Sequence, residues 1–290
     1  MINASLVKEL RDKTGAGMMD CKKALVESNG DIEKAVIWLR ENGILKAQKK
    51  AVRIAAEGLC SFVIKDNKAV LFEVNSETDF VAKTKEFQAL VNTVGQALID
   101  NNVKDTDSAL NIQVEGETIN DLLINATATI GEKIALRRVN VLNKNDNEIF
   151  GFYNHMSGKI VVVNVIKGED NDVAKDVCMH IAAMNPLFLN REAVDPNVLA
   201  VEKDLYVKET IKEGKPEKII DKIVEGKISK YFKSVCLVEQ QFVKDDSMSV
   251  GEYLKSKNCE IKEYLRLEVG EGIEKRKDDF VAEVMEATKV

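Results

Sequence analysis

The sequence predicts an α+β protein with three N-terminal helices, two related α+β core subdomains, an inserted helical hairpin and a C-terminal helix. Three observations carry this prediction. Short apolar segments with helical spacing fill residues 1–43. Strand-like runs change to a helical period twice, near 75–83 and near 168–175. A strongly charged stretch, 185–233, then interrupts the second of these arrangements.

Length and composition are those of an ordinary globular protein. The chain has 290 residues and 45% hydrophobic residues, enough for two or three compact units with a sizeable core. No apolar run approaches the roughly 20 residues that a membrane span needs. The N-terminus lacks the basic start and apolar block of a secretory signal, so we expect a cytoplasmic protein.

Charge, cysteines and histidines exclude several kinds of site. The net charge of −6 argues against broad binding to a phosphate backbone, so nucleic acid is not expected as a partner. Two histidines without a metal-ligand spacing predict no metal site, and no cofactor is implied. Scattered cysteines without a C-x-x-C pair predict reduced, buried thiols. These are Cys21, Cys60, Cys178, Cys236 and Cys259.

Residues 1–43 read as three short helices. Glycines at 15–17 end the first helix, and Asn29-Gly30 ends the second. Asp31 is the expected N-cap of the third, which we expect to stop at Asn42-Gly43. The pattern from Ala24 to Leu39 resembles the ubiquitin-associated (UBA) three-helix fold. A basic linker, 44–57, with a helical pattern follows.

Two methionines, Met18 and Met19, follow the glycines of this first loop. Adjacent residues cannot both face the core of so small a helix group. At least one methionine is therefore expected at the surface, where a flexible thioether suits an adaptable binding patch.

The segment from Asn75 to Lys83 joins a predicted strand to a predicted helix. Its polar residues Ser76, Thr78 and Asp79 are types that cap a helix N-terminus. Two interpretations of Phe80 remain open. It extends the apolar face of the following helix, since it precedes Phe87 by seven residues, or it forms with Asp79 an acidic-aromatic pair directed at a partner.

The hairpin-and-helix arrangement occurs twice, and in the first copy we expect the hairpin turn at Asp66-Asn67 and the helix from about residue 80. The first copy spans 58–142, and the second is formed by 143–184 together with 234–270. Phe80-Val-Ala-Lys83 at the first helix start corresponds to Asp172-Val-Ala-Lys175 at the second. Because the second corner lacks an aromatic residue, the comparison favours an external role for Phe80. His180 lies on an apolar helix stripe and is predicted to be a core residue.

Two further segments complete the predicted organisation. Residues 185–233 read as an antiparallel helical hairpin broken at Gly214-Lys-Pro216. It has too little apolar surface to stand alone, so we expect it to project from the core or to pack on a partner. The C-terminal module, 271–290, contains an amphipathic helix from Asp278 to Met285 that caps the core or reaches a partner.

Three stretches, Thr14–Leu25, Thr78–Ala82 and Glu268–Lys275, are similar to signature segments of the elongation factor Ts family, in the family's order. The resemblance implies guanine-nucleotide exchange on elongation factor Tu. It implies that a corner enters the partner near its Mg²⁺ site and that other residues support the contact. The corner is Thr78, Asp79, Phe80 and Val81; the supporting residues are Met18, Met19, Lys22, Ile130, Gly131 and His155. In some members the inserted hairpin forms homodimers.

Signatures of a conventional enzyme are missing from the sequence. It has no G-x-x-x-x-G-K-[ST] loop, G-x-S-x-G elbow or H-E-x-x-H motif, so we expect neither nucleotide binding nor catalytic residues. The alternative function is a ubiquitin-like or chaperone-type adaptor that binds through the N-terminal helices. That alternative leaves the corner at 78–81 and the C-terminal segment without a role.

Overall fold

The computed structural model describes residues 3–274, which form two compact units. One unit comprises residues 3–63, 70–141 and 268–274, and the other comprises residues 64–69 and 142–267. The mixture of helices and small sheets confirms the predicted α+β class. The predicted C-terminal helix from Asp278 to Met285 lies outside the described residues.

Groups of helices and groups of strands follow one another along the described chain. The α-helices are α1 (Ala4–Thr14), α2 (Met18–Glu27), α3 (Ile32–Lys50), α4 (Asp79–Ala82), α5 (Lys85–Asp100), α6 (Thr106–Leu110), α7 (Ile119–Ile130), α8 (Asn171–Met184), α9 (Pro196–Lys212), α10 (Glu217–Val235) and α11 (Val250–Ser256). The strands are β1 (Glu57–Lys65), β2 (Lys68–Ser76), β3 (Gln113–Val114), β4 (Glu117–Thr118), β5 (Ala135–Asn143), β6 (Glu148–His155), β7 (Ile160–Lys167), β8 (Gln241–Phe242), β9 (Asp245–Ser249) and β10 (Glu260–Glu268).

The three N-terminal helices enclose a small apolar core. Leu10 of α1 and Leu25 of α2 are fully buried in it. The predicted end of the first helix and start of the third are confirmed, since α1 stops before Gly15 and the Asp31 carboxylate accepts a hydrogen bond of 3.1 Å from the Lys34 amide. The three helices therefore form a closed group, as the apolar spacing predicted.

The predicted end of the third helix at Asn42-Gly43 is wrong, because α3 continues to Lys50. Gly43 is buried against α7, where an added Cβ would come within 3.2 Å of the Ala128 Cβ. The glycine thus permits close packing of two helices rather than ending one of them. Part of the predicted basic linker is consequently helical, and its Lys46 pairs with Asp20 at 2.7 Å.

The sheet of the first unit has the strand order β1-β2-β5. Strands β1 and β2 are joined by the predicted two-residue turn at Asp66-Asn67, so they run antiparallel. Phe72 from β2, Phe87 and Leu98 from α5, and Ile119 from α7 are fully buried in one apolar core. This core holds the strand-to-helix corner at 76–85 in place.

Glu73 of β2 is a fully buried carboxylate that connects β5 to the segment after β10. Arg137 and Arg138 donate to it, the former at 3.0 Å, and the Gly270 amide donates at 2.8 Å. Burial alone would raise the pKa of Glu73, but the Gly270 amide, Asn75 and Arg138 outweigh burial and lower it. The segment that resembled a C-terminal signature is therefore anchored to the first unit.

The second unit repeats the hairpin-and-helix arrangement, as predicted. Its sheet has the order β10-β7-β6, and β6 pairs antiparallel with β7 from Glu148↔Lys167 to His155↔Ile160. Helix α8 packs on this sheet through residues such as Val177 and Ile181, which are fully buried in its core.

His180 is buried in the core of the second unit, as predicted. The Val243 amide donates to its Nδ1 at 3.2 Å, so Nε2 carries the proton and donates to the Gln240 Oε1 at 2.9 Å. All five cysteines are likewise buried free thiols, in agreement with the sequence. No helix in the described part of the chain is long and apolar enough to cross a membrane.

Helices α9 and α10 form the predicted antiparallel hairpin, with a short connection that contains Gly214. Lys227 of α10 pairs with Glu209 of α9 at 2.9 Å and with Glu213, the residue after α9, at 3.1 Å. Apolar packing is concentrated near the base, around Phe232. The stretch 185–195 that was predicted as helical contains a single 3-10 turn, Arg191–Ala193.

Candidate partner-binding site

The corner between β2 and α5 is built from a separate one-turn helix, α4. A new helix, α5, begins at Lys85 and is capped by Thr84, whose hydroxyl accepts from the Phe87 amide at 3.2 Å. The sequence predicted a single helix starting near residue 80. The break at Thr84 reorients the preceding turn, because the Thr84 cap leaves extended backbone between the two helices.

Phe80 faces solvent, with 77% of its surface exposed. The next two residues, Val81 and Ala82, point the other way and are buried in the core of the first unit. The interpretation in which Phe80 extends the apolar face of the helix is therefore wrong. Aromatic side chains are enriched among the residues that carry the binding energy of protein interfaces, so an exposed ring on an anchored turn is a candidate anchor for a partner.

Lys83 contacts both polar and aromatic members of the corner. Its ammonium lies 2.6 Å from the Asp79 carboxylate, one helical turn earlier, and 5.8 Å from the centre of the Phe80 ring. Both contacts are at the surface, where ion pairs contribute about 0–1 kcal/mol. The free protein therefore holds Asp79 and Phe80 together by interactions that a partner can replace.

Thr78 occupies the N-cap position of α4 but does not cap it with its side chain. Its hydroxyl donates instead to Glu132 Oε1 at 2.7 Å, and its amide donates to Glu132 Oε2 at 2.9 Å. The Thr78 carbonyl accepts from the Ser76 hydroxyl at 2.8 Å. The predicted capping role of Thr78 is thus wrong, because a residue distant in sequence takes up its hydroxyl.

The loop that follows α7 binds this corner and the end of α3. Gly131, with a φ of +92°, ends α7, and Ile130 before it packs against the core. The Lys133 amide donates to Glu77 at 2.7 Å, and its ammonium donates to the carbonyls of Ala51 and Arg53. The predicted supporting pair Ile130-Gly131 therefore lies next to the two residues, Glu132 and Lys133, that contact the corner.

Met18 and Met19 form the first turn of α2 in the same unit. Both are exposed, by 57% and 74%, so the expectation of at least one surface methionine is confirmed. Lys22 is exposed one turn later. The three side chains thus provide two flexible apolar groups beside a cation.

His155 belongs to the second unit and ends β6, directly before the hairpin turn. Its Nδ1 lies 3.2 Å from the Tyr153 hydroxyl, and its ring is half-buried. The adjacent Met156 is 71% exposed. The predicted supporting histidine is therefore placed beside an exposed apolar side chain.

Sequence reasoning missed Lys83, Glu132 and Lys133. A signal for the last two existed, since Gly131 marks a helix end and loops after helix ends carry polar contacts. Nothing in the local pattern indicates that this loop meets a segment more than 50 residues earlier. Among the described residues, no group of three or more His, Cys, Asp or Glu side chains could hold a metal ion.

Comparison with known proteins identifies the family of the chain. The family model described as "Elongation factor TS" matches residues 77–271. An elongation factor Ts from Acholeplasma laidlawii is 52% identical over 289 residues, with 98% of each chain covered. Those from Lactiplantibacillus plantarum and Limosilactobacillus fermentum are 49% and 48% identical, covering 99% and 98% of each chain. The chain belongs to the elongation factor Ts family.

The similarity to elongation factor Ts proteins extends over nearly the whole chain. The family match includes the corner, the loop after α7 and the β6–β7 hairpin. The N-terminal helices precede that match, but the alignments with complete elongation factor Ts chains extend over them. The resemblance seen in three short stretches of sequence is thereby confirmed.

Proposed function

We propose that the chain is a guanine-nucleotide exchange factor for elongation factor Tu, acting in the cytoplasm by binding rather than by chemistry of its own. The observation that carries the proposal is the exposed Phe80 on an anchored turn, in a chain of the elongation factor Ts family. In this proposal the chain needs no cofactor and does not itself bind the nucleotide.

Phe80 acts as the apolar anchor of the complex. Exposed aromatic side chains that enter a partner's pocket supply a large share of the binding free energy at interfaces. We assign Phe80 to a position between two helices of the GTPase, near its Mg²⁺ site. Its insertion displaces groups that hold the metal ion and the β-phosphate of GDP, which weakens nucleotide binding.

Asp79 fixes the orientation of this insertion by hydrogen bonding to the partner. In the free protein its carboxylate is paired with Lys83 at the surface. Since such a pair contributes only about 0–1 kcal/mol, Asp79 can exchange Lys83 for a partner group at little cost. Thr78 and the buried Val81 complete the same corner.

Supporting contacts come from the other predicted residues. Met18, Met19 and Lys22 present an exposed, adaptable surface that we assign to the GTPase domain. The pair Ile130-Gly131 supports the corner, and His155 adds a contact from the second unit. In this proposal these residues contribute binding to the partner, and Phe80 alone performs the displacement that releases GDP.

The thermodynamics of exchange follow from linkage. An exchange factor that weakens GDP binding must itself bind less tightly to the GDP-bound partner than to the nucleotide-free partner, and the two affinities change by the same ratio. Each tenfold acceleration of GDP release needs about 1.4 kcal/mol of preferential binding to the transition state. A buried aromatic ring can supply that amount.

The test is release of a fluorescent GDP analogue from elongation factor Tu. Substoichiometric wild-type chain should accelerate release catalytically, and Phe80→Ala should slow it by at least about tenfold at an unchanged melting temperature. Leu187→Ala, which removes an exposed apolar side chain outside the proposed site, is the control and should match the wild type. Equal rates for wild type and Phe80→Ala would refute the anchoring role.

The inserted hairpin is proposed as a self-association surface, as the family resemblance implied. Val198, Val201 and Leu205 lie on one face of α9 and are exposed. An apolar stripe of this kind is stabilised when a second copy covers it.

A further inference from the structure

The orientation of Phe80 depends on a very short element. Helix α4 has four residues, and a single helical turn is not stable by itself in water. Only Val81 and Ala82 attach it to the core from within. Another contact is therefore needed to fix the direction in which the exposed ring points.

Glu132 supplies such a contact at the residue that precedes α4. Both oxygens of its carboxylate accept from Thr78, one from the amide at 2.9 Å and the other from the hydroxyl at 2.7 Å. Together these bonds fix the backbone and the side-chain rotamer of one residue. Hydrogen bonds to a charged acceptor are about twice as strong as neutral ones.

Glu132 is itself held on both sides. Gly131 ends α7 before it, and Lys133 after it bonds to Glu77 and to the carbonyls at the end of α3. The side chain of Glu132 is half-buried. Through Glu132 and its two neighbours, the corner is thus connected to the ends of α7 and α3.

We propose that Glu132 is a positioning residue that holds the turn from Thr78 to Val81 in its exchange-competent orientation. It acts through Thr78 rather than by touching the partner or its nucleotide. The inference rests on the proposed exchange function, and it adds a residue outside the predicted corner to the exchange machinery.

Two substitutions separate the positioning role from a general effect on stability. Glu132→Ala removes both acceptors and frees Thr78. Glu132→Gln preserves the shape, and its amide can accept from the Thr78 amide while donating to the Thr78 hydroxyl. Glu148→Ala is the matched control, because Glu148 is also half-buried and accepts from the amide and side chain of one residue, Asn145, in the second unit.

The experiment combines two measurements on the full chain. Amide hydrogen exchange at residues 78–82 reports the order of the turn, and GDP release from elongation factor Tu reports function. For Glu132→Ala we expect amide exchange at least about tenfold faster in this segment and a maximal GDP-release rate lower by about tenfold. Glu132→Gln should recover most of both values, and Glu148→Ala should equal the wild type in both.

The two measurements distinguish failure of the inference from failure of the proposed function. Wild-type order at 78–82 in Glu132→Ala overturns the positioning role, as does a wild-type release rate. If Glu132→Ala does not fold, the decision falls to Thr78→Val, which removes one of the two bonds and should show faster amide exchange at 78–82 and slower GDP release without loss of the core. Wild-type values for Thr78→Val would then overturn the positioning role, and Glu132→Gln remains the variant expected close to the wild type. A wild-type chain that fails to accelerate GDP release overturns the proposed function and the exchange role of Glu132 with it, whereas the amide measurement still reports on the turn.

Discussion

Two buried titratable side chains in this protein, Glu73 and His180, are held by partners that come from distant parts of the chain. Glu73 meets arginines from β5 and an amide near residue 270, and His180 meets groups from the β8 region. In both cases burial and hydrogen bonding act in opposite directions on the pKa. For Glu73, burial raises the pKa but the hydrogen bonds have the larger effect and lower it. For His180, burial has the larger effect and lowers the pKa, because it disfavours the charged imidazolium.

His180 should make stability depend on pH. Burial lowers the pKa of His180 below its ordinary value of about 6.5, although the bond to Gln240 opposes this shift. The unfolded chain then binds more protons than the folded chain at acidic pH. The contribution of His180 to the free energy of unfolding is therefore fully present above about pH 6.5 and is lost as the pH falls toward the folded pKa.

Denaturant unfolding of wild type and His180→Gln at pH 7.5, 6.5 and 5.5 measures this dependence. The wild type should lose stability across this range, while His180→Gln should be less stable at pH 7.5 and show a flatter profile. A wild-type profile that stays level, or two parallel profiles, would show that His180 is not the responsible group. His155→Gln removes the other histidine and serves as the control.

At the scale of elements, packing decided the lengths of the helices around the site. The residue pair Asn42-Gly43 has the composition of a helix stop, yet α3 passes through it because α7 packs closely against Gly43. Conversely, an apolar period that runs from Phe80 to Leu98 is divided between α4 and α5. Local pattern could not reveal either result, since both depend on what lies against the helix.

A pair of glycine substitutions tests the explanation for α3. Gly43→Leu should destabilise the first unit by about 1–3 kcal/mol, because the side chain has no room against Ala128. Gly226→Leu, at an exposed position of α10 with nothing within 4 Å, should be neutral or stabilising by up to about 1 kcal/mol. Thermal unfolding of the two variants measures the difference, and similar melting temperatures would contradict the packing argument.

At the scale of the whole molecule, the described chain is divided between two units that share a plan but differ at their helix starts. The first carries the exposed aromatic corner, and the second begins its helix with an Asp170 cap and no aromatic residue. The hairpin of α9 and α10 adds charged surface with an apolar face. The domain boundaries predicted from sequence, such as 58–142 and 185–233, stay predictions.

Self-association should depend on the exposed face of α9. We expect sedimentation velocity to show concentration-dependent dimers for the wild type and monomers for the double substitution Val201→Glu and Leu205→Glu, since charges replace an apolar contact. Leu187→Glu, an exposed position outside the hairpin helices, is the control and should still dimerise. Identical sedimentation of all three proteins would exclude this face as the interface.

Much of the fold could be predicted from sequence because it depends on local periodicity. The β1–β2 turn, the second hairpin-and-helix copy, the Asp31 cap and the buried His180 follow from the spacing of apolar and turn-forming residues. The roles of Glu132 and Lys133 could not be predicted, because their partners are more than 50 residues away in the chain.

The sequence by itself determined the α+β class, the family and the segment on which the proposed function depends, because short motifs and periodicity are properties of neighbouring residues. Only the tertiary structure decided where Phe80 points. Its exposure accompanies the break at Thr84 and the burial of Val81 and Ala82, and two hydrogen bonds to Glu132 hold Thr78, the residue before this turn. Most of these contacts join residues far apart in sequence, and their geometry exists only once the chain has folded.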